Sequence, residues 1–191
     1  MTALALPDVR LHRAWAAALR DFGDEFPHGS GLDPADPPPL TEAGCAAFAA
    51  GRRAGEDAVR VPPGRVPCTH FWVVDPDVDD PEHLMVGFLA VRHALNAGLR
   101  EEGGHVGYSV RPAARRRGHA SRALALGLRH AAGLGLERVL LTCDEDNLGS
   151  RRTIEGAGGR LDDARDGRRW YWIEVPATAS TGRRASAAAP S

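Results

Sequence analysis

The spacing of apolar residues divides the chain into a helical first part and a second part in which strands and helices alternate. Apolar residues recur at helical spacing over Val9–Phe22, which predicts an amphipathic helix. A second helix is predicted over Thr41–Val59, because Thr41 and Glu42 suit a first helical turn. The segment between these helices, Phe26–Leu40, is rich in Gly and Pro and is predicted to be a loop.

From Phe71 onward, short apolar runs bounded by turn residues are typical of strands. The predicted strands are Phe71–Val74, Met85–His93, Gly104–Val110, Val139–Cys143 and Trp170–Val175. A helix over Ala120–Gly133 connects the third strand to the fourth, and this strand–helix–strand unit implies a parallel crossover. A shorter helix is predicted over Leu148–Gly156. The alternation predicts an α/β domain in which helices pack on a sheet.

Length and composition fit one folded domain. The chain has 191 residues, of which 43% are hydrophobic, so it can bury most of its apolar surface. The domain is predicted over residues 1–175, with a variable helical and loop part at 1–65 and a core at 71–175. Residues 176–191 are rich in Ala, Ser and Thr and are predicted to be a disordered tail.

The charge and the cysteines narrow the class of protein. A net charge of -1 argues against a general nucleic-acid or membrane-surface binder, which needs a marked basic excess. All 24 Lys and Arg positions are arginine, and with the many Ala, Gly and Pro residues this indicates a bacterial source. Cys45, Cys68 and Cys143 have no metal-ligand spacing, which predicts reduced thiols and no bound metal. Because no stretch approaches the roughly 20 apolar residues of a membrane span, the protein is predicted to be cytoplasmic.

The segment Gly104–Ser121 carries the most informative chemistry. Its strand pattern ends at Pro112, and a turn with Arg and Gly then leads directly into a helix. A helix that begins in this way presents unpaired backbone N–H groups and the positive end of its dipole to an anion. The run Arg115–Arg117 adds positive charge, and Gly118 lets the backbone approach closely. These features predict a binding site for a diphosphate.

The same residues resemble a family signature. The spacing Arg115-x-x-Gly118-x-Ala120 is similar to the Q/R-x-x-G-x-G/A signature of the GNAT superfamily of N-acetyltransferases. A strand that ends in Val110-x-Pro112 precedes it, as is usual in that family.

The order of the following elements extends this resemblance over Phe71–Val175. A helix of the right length is followed by a strand, and Asn147-x-x-Ser150 then opens a further helix. The sequences Arg-His-x-Leu-Asn at 92–96 and Gly-Gly-His-x-Gly-Tyr at 103–108 are similar to a bacterial subgroup of GNAT proteins.

The resemblance implies both a fold and an activity. The expected fold has three α/β/α layers, with a mixed, mostly antiparallel sheet that is splayed at the acetyl-CoA site. The expected enzyme is an acyltransferase that moves an acetyl group from acetyl-CoA to a primary amine by direct attack in a ternary complex. The amine is expected to belong to a small molecule or a peptide, and a homodimer is common in this class.

The resemblance also implies which residues bind the cofactor. The pyrophosphate of CoA is expected on the backbone of Arg116–Ser121, and the pantetheine arm is expected along the strand edge as an additional pseudo-strand. Asn147 and Ser150 are expected to face the pantetheine and the thiol, although Asn147 is also a good helix N-cap with no ligand contact. The predicted cofactor-binding residues are Ser109, Val110, Arg111, Arg115, Arg116, Arg117, Gly118, His119, Ala120, Ser121, Asn147 and Ser150.

An amine must lose a proton before it can attack a thioester, since its usual pKa is near 10.4. His105 is the predicted base, because it opens the strand that leads to the cofactor turn and has an ordinary pKa near 6.5. The alternative is a histidine that packs in the sheet with one ring nitrogen bonded to the backbone. Glu101 and Glu102 are other candidates for the base, and His93 on the preceding strand can pair with either.

The proton donor for the departing thiolate is not given by the resemblance. Many GNAT proteins have a Tyr in the helix after Asn147, and Ile154 stands at that position here. Ser150, Tyr108, Tyr171 and water are the alternatives for this donor. Cys143 is interpreted as a small buried residue rather than a nucleophile, because nothing near it in sequence lowers its pKa.

Two other functions stay open at this stage. One is a regulatory protein that binds CoA or acyl-CoA without turnover, which the missing Tyr favours. The other is a nucleic-acid-binding module that uses Arg115–Arg117, whose binding would depend steeply on salt. Asp144–Glu155 partly matches a calcium-loop pattern, but Leu148 occupies a ligand position without an oxygen, so no metal site is predicted.

Overall fold

The computed structural model describes residues 1–176. Residues 177–191, which form nearly all of the predicted tail, lie outside the described part of the chain. None of the helices within residues 1–176 is long and apolar enough to cross a membrane.

The described residues form strands and helices that follow the predicted order. The strands are β1 (Ala3–Ala5), β2 (Cys68–Val74), β3 (Met85–Arg92), β4 (Val106–Val110), β5 (Arg138–Asp144), β6 (Arg160–Arg165) and β7 (Arg168–Glu174). The helices are α1 (His12–Phe22), α2 (Glu42–Ala54), α3 (Ala97–Glu101), α4 (His119–Gly133) and α5 (Leu148–Gly156). Short 3-10 turns at Val9–Leu11 and Pro112–Ala114 lead toward α1 and α4.

Helix α2 ends earlier than its predicted end at Val59. The helix stops at Ala54, and the Gly55 N–H bonds back to the Gly51 and Arg53 carbonyls. The residues after Gly55 form turns, so the apolar and charged residues near Val59 do not continue the helix. The N-terminus agrees with the prediction, since the Thr41 hydroxyl accepts a hydrogen bond from the Gly44 N–H at 3.1 Å.

The strands form two sheets, one in the order β1-β2-β3-β4 and the other in the order β5-β7-β6. Every ladder within residues 1–176 is antiparallel. The predicted crossover does not join neighbouring strands of one sheet, because α4 connects β4 of the first sheet to β5 of the second. The two sheets meet where the His105 N–H donates to the Leu140 carbonyl at 2.7 Å. Beyond this bond, β4 and β5 form no ladder, and a cleft separates them.

Strand β3 lies at the centre of the molecule, and every residue over Met85–Val91 is buried. Leu89 shares one hydrophobic cluster with Leu124 of α4. Phe88, whose side chain points to the opposite face, lies in a second cluster with Trp15 of α1. Helices therefore cover both faces of the first sheet, which gives the three layers that the resemblance implied.

Candidate active site

A cleft with a volume of about 650 Å³ lies between the two sheets. One wall consists of β4 and the start of α4, and the opposite wall consists of the end of β5 and the start of α5. We call residues 110–121 the α4 end of the cleft. The α3 end is the opposite group, formed by Arg92, Glu102, Gly103, Asp144 and Arg168.

The α4 end has a backbone that is shaped to hold an anion. Gly118 is the N-cap of α4 and has a φ of 79°, and no side chain caps the first turn. The N–H groups of residues 118–121 therefore lack helical partners. Arg116 also has a positive φ, 64°, and such alternation directs successive N–H groups toward one concave point. The positive φ of Gly118 favours glycine at this position, because an L side chain rarely adopts this conformation.

The arginine run contributes unequally to the α4 end. Arg115 and Arg116 line the cleft, whereas Arg117 does not. The Arg115 guanidinium forms an ion pair with Glu25, and its Nε donates to the Val110 carbonyl at 3.0 Å. Arg116 is exposed and has no carboxylate within 4 Å among residues 1–176, so its charge is free for an anionic ligand.

His119 holds the first turn of α4 in place from behind. Its buried ring places Nδ1 at 2.9 Å from the Thr2 hydroxyl, and its Nε2 lies 3.7 Å from the Asp75 carboxylate. Arg122 Nε donates to the same Thr2 hydroxyl at 2.8 Å. Burial lowers the pKa of His119, so the ring is a neutral hydrogen-bonding group. The backbone of His119, with that of Ala120 and Ser121, is the part that can face a ligand.

The free edge of β4 offers alternate backbone groups to the cleft. The Arg92 N–H donates to the His105 carbonyl at 2.7 Å, and the Arg111 N–H donates to the Val86 carbonyl at 2.9 Å. Because hydrogen-bonding groups alternate along an antiparallel strand, the odd-numbered residues bond to β3. Tyr108 therefore directs its backbone groups toward the cleft, and so does Val110.

Two of the residues that were predicted to pair with a pantetheine arm are placed differently. Ser109 lines the cleft, but its backbone groups belong to the β3 ladder. Arg111 does not line the cleft: its guanidinium is buried, bonds to the Asp21 carboxylate at 2.7 Å and donates to the Glu82 carbonyl. The structure thus brings Val110, but not Arg111, to the cleft.

Tyr108 on β4 reaches α5 on the opposite wall of the cleft. The Tyr108 hydroxyl donates to the Ser150 carbonyl at 3.4 Å, and burial raises the pKa of Tyr108 to about 12. The phenol is therefore protonated at neutral pH. Asn147 caps α5, since its Oδ1 accepts from the Ser150 N–H at 3.0 Å, and both residues line the cleft. Ile154 is buried in the core and does not line the cleft.

His105 lies behind the cleft, at the junction of the two sheets. Its Nδ1 accepts a hydrogen bond from the Leu140 N–H at 2.9 Å, and burial lowers its pKa to about 4, with further contributions from Arg100 and Arg92. It does not line the cleft. This geometry is the packed arrangement that the sequence left as the alternative to a base. His93 is similarly engaged, with Nε2 at 2.9 Å from the Thr69 hydroxyl.

The α3 end is a group of charged side chains. Arg168 forms an ion pair with Glu102 at 2.7 Å and lies 3.5 Å from the Asp144 carboxylate. Arg92 Nη1 donates to the carbonyls of Gly103 at 3.1 Å and Gly104 at 3.0 Å. Sequence reasoning named Glu102 as a candidate base but missed the arginines beside it, although Arg92 belongs to the Arg-His-x-Leu-Asn sequence. Glu101, the other predicted acidic candidate, pairs with Arg165 and does not line the cleft.

The loop between α1 and α2 covers one side of the cleft. Phe26, His28 and Gly29 contribute to its lining. Gly29 has a φ of 81°, and a Cβ at this position would clash with the Gly107 carbonyl oxygen. The loop therefore lies directly on β4. The only signal in the sequence for this packing is that both residues at the contact, Gly29 and Gly107, are glycines.

Cys143 lines the cleft as a protonated thiol. Burial, with the nearby Asp144 carboxylate, raises its pKa, which opposes a role as a nucleophile. Within residues 1–176 no three His, Cys, Asp or Glu side chains are grouped so that they could hold a metal ion.

A family model described as an acetyltransferase (GNAT) domain matches residues 32–160. The match spans more than half of the chain, so the protein belongs to the GNAT acetyltransferase family. The predicted family and the predicted enzyme class are confirmed. The comparison with curated proteins gave no match.

Solved acetyltransferase structures share this fold over about nine-tenths of the chain. MccE, an immunity acetyltransferase in complex with acetyl-CoA and AMP, is 12% identical with a TM-score of 0.61, and the alignment covers 91% of this chain and 92% of MccE. RimJ of Mycobacterium smegmatis, in complex with CoA-disulfide, is 22% identical with a TM-score of 0.59, covering 91% of this chain and 82% of RimJ. A Salmonella typhimurium enzyme that modifies the N-terminal serine of the ribosomal protein L7/L12 is 13% identical with a TM-score of 0.58, covering 92% and 95%. These likenesses confirm the predicted fold.

Proposed function

We propose that this protein transfers an acetyl group from acetyl-CoA to a primary amine by direct attack in a ternary complex. The observation that carries the proposal is the cleft itself, which joins the uncapped first turn of α4 to the free edge of β4. The chain that forms this cleft belongs to the GNAT acetyltransferase family, and MccE and RimJ, which share its fold, were solved with acetyl-CoA and CoA-disulfide.

The residues present fit CoA. The N–H groups of residues 118–121 and the free Arg116 charge suit a diphosphate, and the backbone of Tyr108 and Val110 suits an extended arm that contains amides. A helix N-terminus contributes only about 0.3–1 kcal/mol toward an anion, whereas micromolar affinity needs about 8 kcal/mol. Binding therefore requires the phosphate site, the charge and the strand edge together.

When bound, acetyl-CoA supplies a thioester whose C–S bond breaks as the C–N bond to the amine forms. Tyr108 is our candidate for the proton donor to the leaving sulfur, because Tyr108 lines the cleft and its protonated hydroxyl reaches Ser150 on the opposite wall. The Ser150 hydroxyl is the alternative donor on the opposite wall.

For the base we now prefer Glu102 to His105. The Glu102 carboxylate is exposed at the α3 end and can accept the amine proton directly or through water. His105 is a poor base because its Nδ1 already accepts a hydrogen bond from the Leu140 N–H and so is not free to accept a proton from the amine.

Several further properties stay predictions from the sequence. These are the cytoplasmic location, the bacterial source, a homodimer and the single domain over residues 1–175. The domain is supported by one hydrophobic cluster that contains residues of both sheets, such as Leu89 and Leu141.

Calorimetric titration of acetyl-CoA, followed by an assay of CoA release with a panel of amines, tests the proposal. We expect micromolar binding and acetylation of at least one amine. Failure of the folded protein to bind acetyl-CoA would overturn the proposal. Tight binding without acetylation of any amine would instead support the regulatory CoA-binding protein that the sequence left open.

A further inference from the structure

The α3 end contains a guanidinium with an unused hydrogen-bonding edge. Arg92 uses only Nη1 within residues 1–176, to hold the Gly103 and Gly104 carbonyls. Its Nε and Nη2 have no protein partner there, and neither atom is sealed from solvent. These two nitrogens form the edge of an arginine that binds both oxygens of a carboxylate at once.

Arg92 also lacks a counter-ion. No carboxylate of residues 1–176 lies within 4 Å of its guanidinium, and burial lowers its pKa. Arg168, by contrast, has both Glu102 and Asp144. A partly desolvated cation without a partner is unfavourable, and an anion that enters the cleft would relieve this cost.

The protein groups around Arg92 do not supply that charge. Cys68 lies opposite Arg92 in the register of β2 and β3. Burial raises the pKa of the Cys68 thiol to about 11. His70 lies on the same strand, and burial lowers its pKa to about 4. Both side chains are neutral at pH 7, so Arg92 keeps an uncompensated positive charge.

The position of Arg92 connects this charge to the proposed reaction. Arg92 at the end of β3 and Tyr108 on β4 line the same cleft. A substrate that enters this cleft to meet the acetyl donor therefore has Arg92 in the wall around it. Glu102 and Asp144 at the same end disfavour a doubly charged group such as a phosphate monoester.

We propose that Arg92 binds a carboxylate of the acceptor, so that the substrate of this acetyltransferase is an amino acid or another amine that carries a carboxylate. This inference rests on the proposed function and names the class of its acceptor. It also explains why the α3 end combines a free guanidinium with the exposed Glu102 carboxylate, since the two can engage opposite ends of one zwitterion.

The first test uses the unaltered protein with acetyl-CoA and matched pairs of acceptors. The proteinogenic L-amino acids are compared with their carboxamides, and O-phosphoethanolamine is compared with ethanolamine, by CoA release and product mass. We expect at least one amino acid to be acetylated with a kcat/KM about 100-fold above that of its amide, through KM. Equal use of acids and amides, or preference for the phosphate, would overturn the inference and leave the proposed function standing.

If acetyl-CoA binds and no amine of any kind is acetylated, the proposed function fails and the inference fails with it. This outcome is distinct from the previous one, because there an acetylated product forms.

The second test replaces the planar guanidinium of Arg92, which can bind both carboxylate oxygens, with the single ammonium group of lysine. Arg92→Lys should raise KM for the amino acid about 30-fold, with little change in kcat or in KM for the amide. The matched control is Arg52→Lys, because Arg52 also donates to a backbone carbonyl, that of Gly31, but does not line the cleft. Equal losses for acid and amide, with lowered thermal stability, would show that Arg92 only supports the loop and would overturn the inference.

Discussion

The two ends of the cleft are built in different ways. The α4 end is one continuous segment, residues 110–121, whose proposed ligand groups are mainly backbone N–H groups held by the positive φ of Arg116 and Gly118. The α3 end combines side chains from β3, the α3–β4 connection, β5 and β7, which are far apart in the chain. The first end is defined by backbone geometry, and the second by charged side chains that only the fold brings together.

This difference separates the roles of the two ends. A backbone site presents the same N–H groups whatever side chains surround it, which suits a ligand that does not vary. A site made of side chains changes with each substitution, which suits an acceptor that differs between proteins of one family. Substitutions at the α4 end should therefore affect acetyl-CoA, and substitutions at the α3 end should affect the amine.

The largest expected effect is at the α4 end. Gly118→Glu should weaken acetyl-CoA binding by more than about 100-fold, because it places a bulky negative side chain where several N–H bonds to an anion are expected. Calorimetry measures this change. Gly135→Glu is the matched control, since Gly135 also has a positive φ, 80°, but a Cβ there would meet nothing within 4 Å. Equal losses in both variants would mean that backbone strain alone is responsible.

In the middle of the cleft, Tyr108→Phe should lower kcat by about 100-fold, as expected when a proton donor is removed. Affinity for acetyl-CoA should change little, because the aromatic ring and the backbone groups are retained. Rapid-quench or steady-state assays of CoA release give kcat. Tyr171→Phe is the control, since the Tyr171 hydroxyl bonds to Glu155 at 2.8 Å and does not line the cleft. An unchanged kcat in Tyr108→Phe would exclude Tyr108 as the donor and favour Ser150 or water.

At the junction of the sheets, His105→Ala should lower the free energy of unfolding by about 2 kcal/mol at neutral pH, because the buried Leu140 N–H loses its acceptor. His105→Asn should restore part of this loss of stability, since Asn Oδ1 can replace Nδ1. The kcat of this variant should stay within about threefold of the kcat of the unaltered protein, a much smaller change than the loss of a base would cause. Urea denaturation measures the stability. A normal stability with a kcat lowered about 100-fold would reinstate His105 as the base.

The same residue makes a prediction about pH. The folded protein holds the pKa of His105 at about 4, whereas the unfolded value is near 6.5. The unfolded state therefore binds more protons between these values, so the stability is full above about pH 6.5 and is lost as the pH falls toward about 4. Denaturation at about pH 7.5 and about pH 5 should show this loss, with a smaller difference in His105→Asn. His70 has a similarly lowered pKa and accounts for part of the slope that remains.

The smallest expected effect concerns the N-cap of α5. Asn147→Ala and Thr41→Ala should each lower the free energy of unfolding by about 1 kcal/mol, since each removes a cap. Only the Asn147 variant should also bind acetyl-CoA about fivefold more weakly, because Asn147 lines the cleft and Thr41 does not. Unchanged acetyl-CoA binding in Asn147→Ala would show that Asn147 acts as a cap alone.

The elements that the sequence missed share a physical cause. Strand β1 is only Ala3–Ala5, too short to show a pattern, and it is a strand because it pairs with β2. Strand β6, Arg160–Arg165, is mostly exposed and polar, so apolar alternation is absent. Helix α3 is a short helix whose cap, Asn96, was noted only as part of a family sequence. In each case pairing or capping outweighs the local pattern.

The sequence by itself determined the α4 end. Its strand, glycine turn and helix are local in the chain, and a local segment fixes the direction of its own N–H groups, so the proposed diphosphate site and the family both followed from spacing. The tertiary structure alone decided the α3 end and the place of His105. Whether a charged side chain is paired, buried or open to a cleft depends on neighbours distant in sequence. Within residues 1–176 Arg92 has no carboxylate partner, and His105 accepts from the Leu140 N–H where the two sheets meet.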